Sequence, residues 1–161
     1  MSRDVFEGFA LQSVEDKGRV AIPADLRATI ERNCESRIVV IGLHESEPCL
    51  SAHDLAWSQE KHRRIDNPAA APFTEAAGVG ERAMQQAFGP VERASFDPSG
   101  RFILPPFFRA EAKIGKWAAF SGAGNTFNIW APEMLMATTA PELARLRSYC
   151  AYLCQAKGIA L

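Results

Sequence analysis

The chain has 161 residues, enough for one compact domain or two small similar halves. With 47% apolar and 23% charged residues it has the composition of a globular protein, and no apolar run reaches the length that crosses a bilayer. The net charge of −1 argues against a strongly basic nucleic-acid-binding monomer but leaves room for a local cationic patch.

The amino terminus mixes Arg3, Asp4, Glu7, Glu15 and Asp16 with single apolar residues and lacks the apolar centre of a secretion signal, which predicts a cytoplasmic protein. Phe9, Leu11 and Ser13 alternate with Ala10, Gln12 and Val14, a strand pattern. Glu15-Asp16-Lys17-Gly18 is a polar turn, and Arg19-Val20-Ala21-Ile22 resumes the extended pattern, so the two segments read as a local β-hairpin. Pro23 suits the first turn of a helix that carries Asp25, Leu26 and Ile30. Ile38-Val39-Val40-Ile41 is a β-branched run typical of a buried strand; Cys49 to Ala52 returns as another, and Asp54 to Arg64 turns helical. Asn67 to Pro72 breaks the chain, and a short helix is expected between Gly80 and Phe88.

The order then recurs. Arg93 to Phe96 is extended, Asp97-Pro98-Ser99-Gly100 is a turn, Arg101 to Leu104 is a strand, and Pro105-Pro106 opens a helix ending near Lys113. Trp117 to Ser121 and Thr126 to Trp130 flank a hairpin turn at Gly122-Ala123-Gly124-Asn125, and Pro132 to Ala137 is a brief helix. Thr139 with Glu142 resembles a capping box ahead of a terminal helix striped by Leu143, Leu146, Tyr149, Cys150 and Leu153. The pattern G-R-x-x-x-P-x-x-x-R stands at Gly18–Arg27 and again at Gly100–Arg109, an offset of 82 expected to hold throughout. The implied organisation is a first copy at 6–65, a connector with a short helix at 66–91, a second copy at 92–137 and a helical tail at 138–161.

An acidic residue stands four before the first arginine of each copy, Glu15 before Arg19 and Asp97 before Arg101. Each pair either closes its turn or holds a guanidinium outward, where its fork of donors suits phosphates or guanine edges. Lys17 and Arg27 lie close by, and Arg3 and Arg32 are candidates to join them. Catalytic groupings are weak. Gly122-x-Gly124 lacks a third glycine, Ser121-Gly122 lacks the glycine that precedes a nucleophile elbow, and His44, His53 and His62 have no metal-ligand spacing. Cys150 and Cys154 share a helix face, a spacing open to metal, but with no histidine nearby in sequence the four cysteines are read as buried thiols. No enzyme activity, cofactor or metal is assigned.

Glu15 through Arg27 resembles the opening of the AbrB-type swapped-hairpin DNA-binding module, and the two-copy arrangement is similar to the MraZ family of transcriptional regulators. Pro48-Cys49-Leu50 with Leu55 and Trp57, Glu81-Arg82 to Phe88, and Phe127-Asn128-Ile129-Trp130 resemble further landmarks, so the likeness spans about Phe6 to Leu135. The resemblance implies an α+β fold, a duplicated AbrB-like swapped-hairpin β-barrel with short helices and a C-terminal helix. It implies a repressor of the division and cell-wall gene cluster. It also implies a ring-shaped homo-oligomer binding double-stranded DNA at direct promoter repeats, nucleoid-associated and free of the membrane. Its DNA-binding set falls on Lys17, Arg19, Arg27, Arg3, Arg101 and Arg109, with Glu15 and Asp97 orienting the arginines. Departures are Glu15 where the family usually has aspartate, Glu7 where it commonly has arginine, and Ser99 opposite Lys17, which makes the first copy the expected reader. The alternative is an interaction scaffold or antitoxin-like module, docking a protein on the terminal stripe.

Overall fold

A computed structural model describes residues 3–66 and 74–161, with side chains for 3–66 and 80–161; the expected connector at Asn67–Pro72 lies outside them. In chain order the elements are β1 (Phe9–Ser13), β2 (Arg19–Ala21), α1 (Ala24–Asn33), β3 (Ile38–Leu43), β4 (Leu50–His53), α2 (Leu55–Ile65) and α3 (Thr74–Phe88). They continue as β5 (Val91–Ser95), β6 (Arg101–Ile103), α4 (Pro106–Glu111), β7 (Trp117–Gly122), β8 (Phe127–Trp130), α5 (Pro132–Ala137), a single 3-10 turn (Pro141–Leu143) and α6 (Ala144–Lys157). The connecting helix α3 starts six residues earlier than its sequence pattern suggests.

The fold is α+β, and its strands are exchanged between the two copies. Six strands form an antiparallel sheet in the order β1-β7-β8-β4-β3-β5, and β2 pairs with β6 in a separate ribbon. The first strand of each copy therefore lies against the third strand of the other: Leu11 opposite Ala119, and Val39 opposite Ala94. This corrects the local hairpin reading. The chain does reverse at Glu15–Gly18, where the Gly18 amide donates to the Glu15 carbonyl. On leaving the turn, however, β1 and β2 take different partners; the amide of Val14 already donates to the carbonyl of Lys116. A side chain bridges the gap, with Gln12 Nε2 donating to the Ala21 carbonyl at 2.9 Å.

The offset of 82 holds for β1 with β5, for β2 with β6 and for the starts of α1 and α4, then fails. Helix α4 is shorter than α1, so β3 and β7 are 79 apart, and β4 and β8 are 77 apart. The second copy shortens its helix and its sheet hairpin while keeping the strands that meet across the pseudo-dyad.

Sheet residues alternate between two apolar layers. Phe120, Phe127 and Ile129 join Phe6, Ile22, Leu26, Ile30, Phe102 and Leu104 beneath the ribbon and α1. On the opposite face Leu11, Ala119 and Trp130 join Cys49, Leu135, Cys150 and Cys154. Helix α6 covers that second face. Leu143, Leu146 and Leu153 are half-buried against it, Cys150 and Cys154 are buried, and Tyr149, though exposed, stacks on Phe9 at 5.6 Å between ring centroids. The stripe considered for docking a partner is thus spent on the chain's own core. The capping box is also absent: no side chain caps the 3-10 turn, whose first flanking residue is Ala140, or α6, which starts two residues beyond Glu142. Thr138 instead bonds the Leu135 carbonyl and receives Arg147. Because Leu135 is fully buried between the sheet and α6, Leu135→Ala is expected to cost about 2–5 kcal/mol, read as a lowered urea midpoint at unchanged slope.

Candidate nucleic-acid interface

The β2–β6 ribbon sits on the pseudo-dyad. Val20 and Phe102 face each other and point into the core, so the remaining side chains, Arg19, Ala21, Arg101 and Ile103, lie on the outer face. Arg19 opposes Ile103 and Arg101 opposes Ala21, which makes the two arginines diagonal neighbours, ~7 Å apart at their Cβ atoms.

Each arginine is tethered by the acidic residue four positions earlier. Arg19 Nε donates to Glu15 Oε2 at 3.2 Å, and Arg101 Nε donates to Asp97 Oδ2 at 3.1 Å. Both pairs are exposed, so neither adds much stability. What they supply is direction. The carboxylate engages Nε, and among the described residues the two terminal amino groups of each guanidinium have no protein partner.

The two turns differ in rigidity. Asp97 Oδ1 also accepts the amides of Ser99 and Arg101, both at 2.9 Å, while the Glu15 carboxylate, among the described residues, bonds only Arg19. The Arg101 amide, followed by those of Ser99 and the Arg101 side chain, holds the Asp97 carboxyl below the usual aspartate range against a smaller opposing effect of desolvation.

The last arginine of each motif does something else. Arg27, one helical turn after Pro23, reaches across the dyad and donates to the Ser99 carbonyl at 2.5 Å. Arg109, its counterpart on α4, donates to the carbonyls of Ile114 at 3.0 Å, Gly115 at 3.1 Å and Asp16 at 3.4 Å. Each copy's helix thus grips the other copy's turn. The glycines make room for this. Gly18 and Gly100 have φ of +89° and +84°, a left-handed conformation that costs other residues about 1–2 kcal/mol. A Cβ on Gly100 would stand 2.6 Å from Arg27 Nη1 and 2.9 Å from the Ile22 carbonyl oxygen; on Gly18 the nearest atom, Arg109 Nη1, is 3.3 Å away.

Arg3 lies elsewhere. Its guanidinium pairs with both oxygens of Asp54, at 3.1 and 2.7 Å, and lies over the Trp57 ring. Asp54 is fully buried and caps α2 by accepting the Trp57 amide. Arg32 is paired with Asp4. Of the six cations singled out in the sequence, then, Arg19 and Arg101 share the ribbon and Lys17 stands exposed on its turn, while Arg27 and Arg109 hold carbonyls and Arg3 holds a carboxylate. Missed in the sequence was Lys113, which shares a cleft with Lys17. Its signal would have been a lysine where a glycine commonly ends a helix.

Among the described residues, no three His, Cys, Asp or Glu side chains come together as a metal site, and no helix is long and apolar enough to cross a membrane. Cys150 is shielded from solvent, which, with the neighbouring Cys154, pushes its thiol up to about 12.

Two outcomes follow. Gly100→Ala should destabilise the fold more than Gly18→Ala, because it adds a collision with Arg27 and the Ile22 carbonyl to a backbone cost of about 1–2 kcal/mol; paired urea titrations check the order. Asp97 should titrate below an ordinary aspartate in a carboxyl-carbon NMR titration. Its folded value is depressed, so the stability it adds is complete above the unfolded aspartate range and is lost as pH falls through the lowered folded value.

No family model matches the chain. Its sequence is 33% identical over 137 residues to a transcriptional regulator MraZ of Saccharophagus degradans, covering 84% of this chain and 88% of that one. It is 28% identical over 144 residues to the transcriptional regulator MraZ of Pseudomonas putida, covering 89% and 91%. A third relative of that name, from Syntrophobacter fumaroxidans, is 28% identical over 130 residues and is covered over 81% of each chain. Identity at this level across nearly the whole length, with the paired motifs and exchanged strands in place, means that the chain belongs to the MraZ family.

Proposed function

We propose that the protein is a sequence-specific DNA-binding transcription regulator that presents the β2–β6 ribbon to the major groove. The carrying observation is the pair of carboxylate-held guanidiniums, Arg19 and Arg101, on the outer face of a two-stranded ribbon. The major groove admits such a ribbon, and arginine is the side chain best matched to the acceptors of guanine. Lys17, exposed beside Arg19, contacts phosphate and lends affinity without sequence information. Arg27 and Arg109 act at one remove, by fixing the turns that carry the reading residues. Arg3 anchors the start of the chain to α2.

Family resemblance extends this reading to repression of the division and cell-wall gene cluster through direct promoter repeats, by a cytoplasmic, nucleoid-associated ring of protomers. A ring accommodates the net charge of −1: one protomer offers few cations, and simultaneous engagement of several repeats raises the effective concentration of each further contact. Arg19→Ala should weaken binding to DNA upstream of the protein's own gene by about 1–3 kcal/mol while leaving the urea midpoint unchanged. Wild-type protein that binds this DNA and a scrambled duplex equally at every salt concentration would refute the proposal.

A further inference from the structure

The ribbon is nearly symmetric, but its two flanks are not. On the α4 side an open cleft of about 380 Å³ is lined by Lys17, Arg109 and Lys113 together with Asp16, Leu104 and Ile114. Lys17 and Lys113 are exposed, and among the described residues neither has an ion-pair or hydrogen-bond partner for its side chain. Arg109 holds its three carbonyls, so Asp16 is the cleft's one acid against two uncommitted ammonium groups.

An offset of 82 carries Asp16, Lys17 and Lys113 to Pro98, Ser99 and Glu31 on the α1 side. There Glu31 faces Arg37 at 3.8 Å, Arg32 pairs with Asp4, and Arg27 is spent on the Ser99 carbonyl. No free lysine replaces either cation at these positions.

Backbone geometry sets Lys113 apart. It has φ +58°, and it is the one residue other than glycine with positive φ among those described. Helix α4 ends just before it, with the Ala112 amide on Phe108 and the Lys113 amide on Ala110. Helix α1 runs on through Asn33, so Glu31 stays inside the helix. A left-handed lysine at a helix end, in place of the usual glycine, is a departure from local preference that puts an ammonium group at the cleft.

We infer that this cleft seats a backbone phosphate of the bound duplex between Lys17 and Lys113, and that the lack of an equivalent on the α1 flank fixes the direction in which the ribbon lies along its site. The inference rests on the DNA-binding reading above. Without it, a pseudo-dyad through Val20 and Phe102 would let the ribbon sit in either of two opposed orientations.

The test uses the full-length protein and the duplex upstream of its gene. Two variants remove the ammonium: Lys113→Gln, and Lys113→Gly, which suits the left-handed backbone and is expected to keep the fold, checked by an unchanged urea midpoint. One lost phosphate contact lowers the slope of log affinity against log salt by about 0.9, which at ~0.1 M salt is roughly an eight-fold loss. Both variants should show this loss and keep the wild-type preference for promoter over scrambled DNA. Ethylation of single phosphates should interfere with wild-type binding on one flank of each contacted segment, and Lys113→Gly should abolish the strongest of these signals. An unchanged slope in both variants, or equal interference on both flanks, overturns the seat. A wild-type protein with no promoter preference instead overturns the regulator reading itself.

Discussion

Neither copy can satisfy its own first strand. The inward-facing amides and carbonyls of the edge strand Phe9–Ser13 are met by Trp117–Ser121, and those of the opposite edge, Val91–Ser95, by Ile38–Gly42. Each first strand thus gains its ladder of main-chain hydrogen bonds only by interleaving with the other copy. Everything else at the site depends on that exchange. It pairs β4 with β8, centres the molecule on a pseudo-dyad, and leaves β2 and β6 close enough to pair over the core. The reading face exists because two strands of only three residues each, too short to stand alone, are brought together there by the larger sheet.

The five arginines considered for the interface take three structural situations, and the difference lies in which nitrogen is occupied and by what. Arg19 and Arg101 give Nε to a carboxylate and keep their terminal amino groups exposed. Arg27 and Arg109 give theirs to main-chain carbonyls, Ser99 and Asp16 across the dyad and Gly115 within the same copy as Arg109. Arg3 gives both amino groups to a buried carboxylate and rests on an indole. A formal charge of −1 therefore says little about the surface seen by a polyanion. Much of the cationic charge is committed to protein acceptors, while Lys17, Arg19, Arg101 and Lys113 present theirs around the ribbon.

Local structure was written plainly in the chain. β-branched runs marked β3, Gly-x-Gly marked the β7–β8 turn, and proline marked the starts of α1, α4 and α5. Strand partnership was not legible, because the alternation of Phe9 to Ser13 fits a hairpin with β2 as well as a ladder with β7; only the other copy's position decides. The recurring arginine at the motif's end was visible, but spacing cannot show that its target is a carbonyl at Ser99 or Asp16. The acid–arginine tethers, four residues apart on one turn, were readable because both partners are local. Thr139 and Glu142 had cap spacing, yet Pro141 starts a tight 3-10 turn there and the helix begins later. Lys113 escaped notice because its importance comes from a backbone angle, which composition does not record.

The exchanged strands also set an order of events at the ribosome. Phe9 pairs with Ser121, so β1 must wait, on the order of 100 residues, for its neighbour to emerge. Until then its edge is unpaired, and the apolar residues around it are open to association with other nascent chains. The β3–β4 hairpin can form early, since its strands are close in sequence, but it gains β5 and β8 only later. The sheet can close only once β8 has emerged to join β4 and β7. A chain that stopped before β5 would lack the partner of every inter-copy pairing.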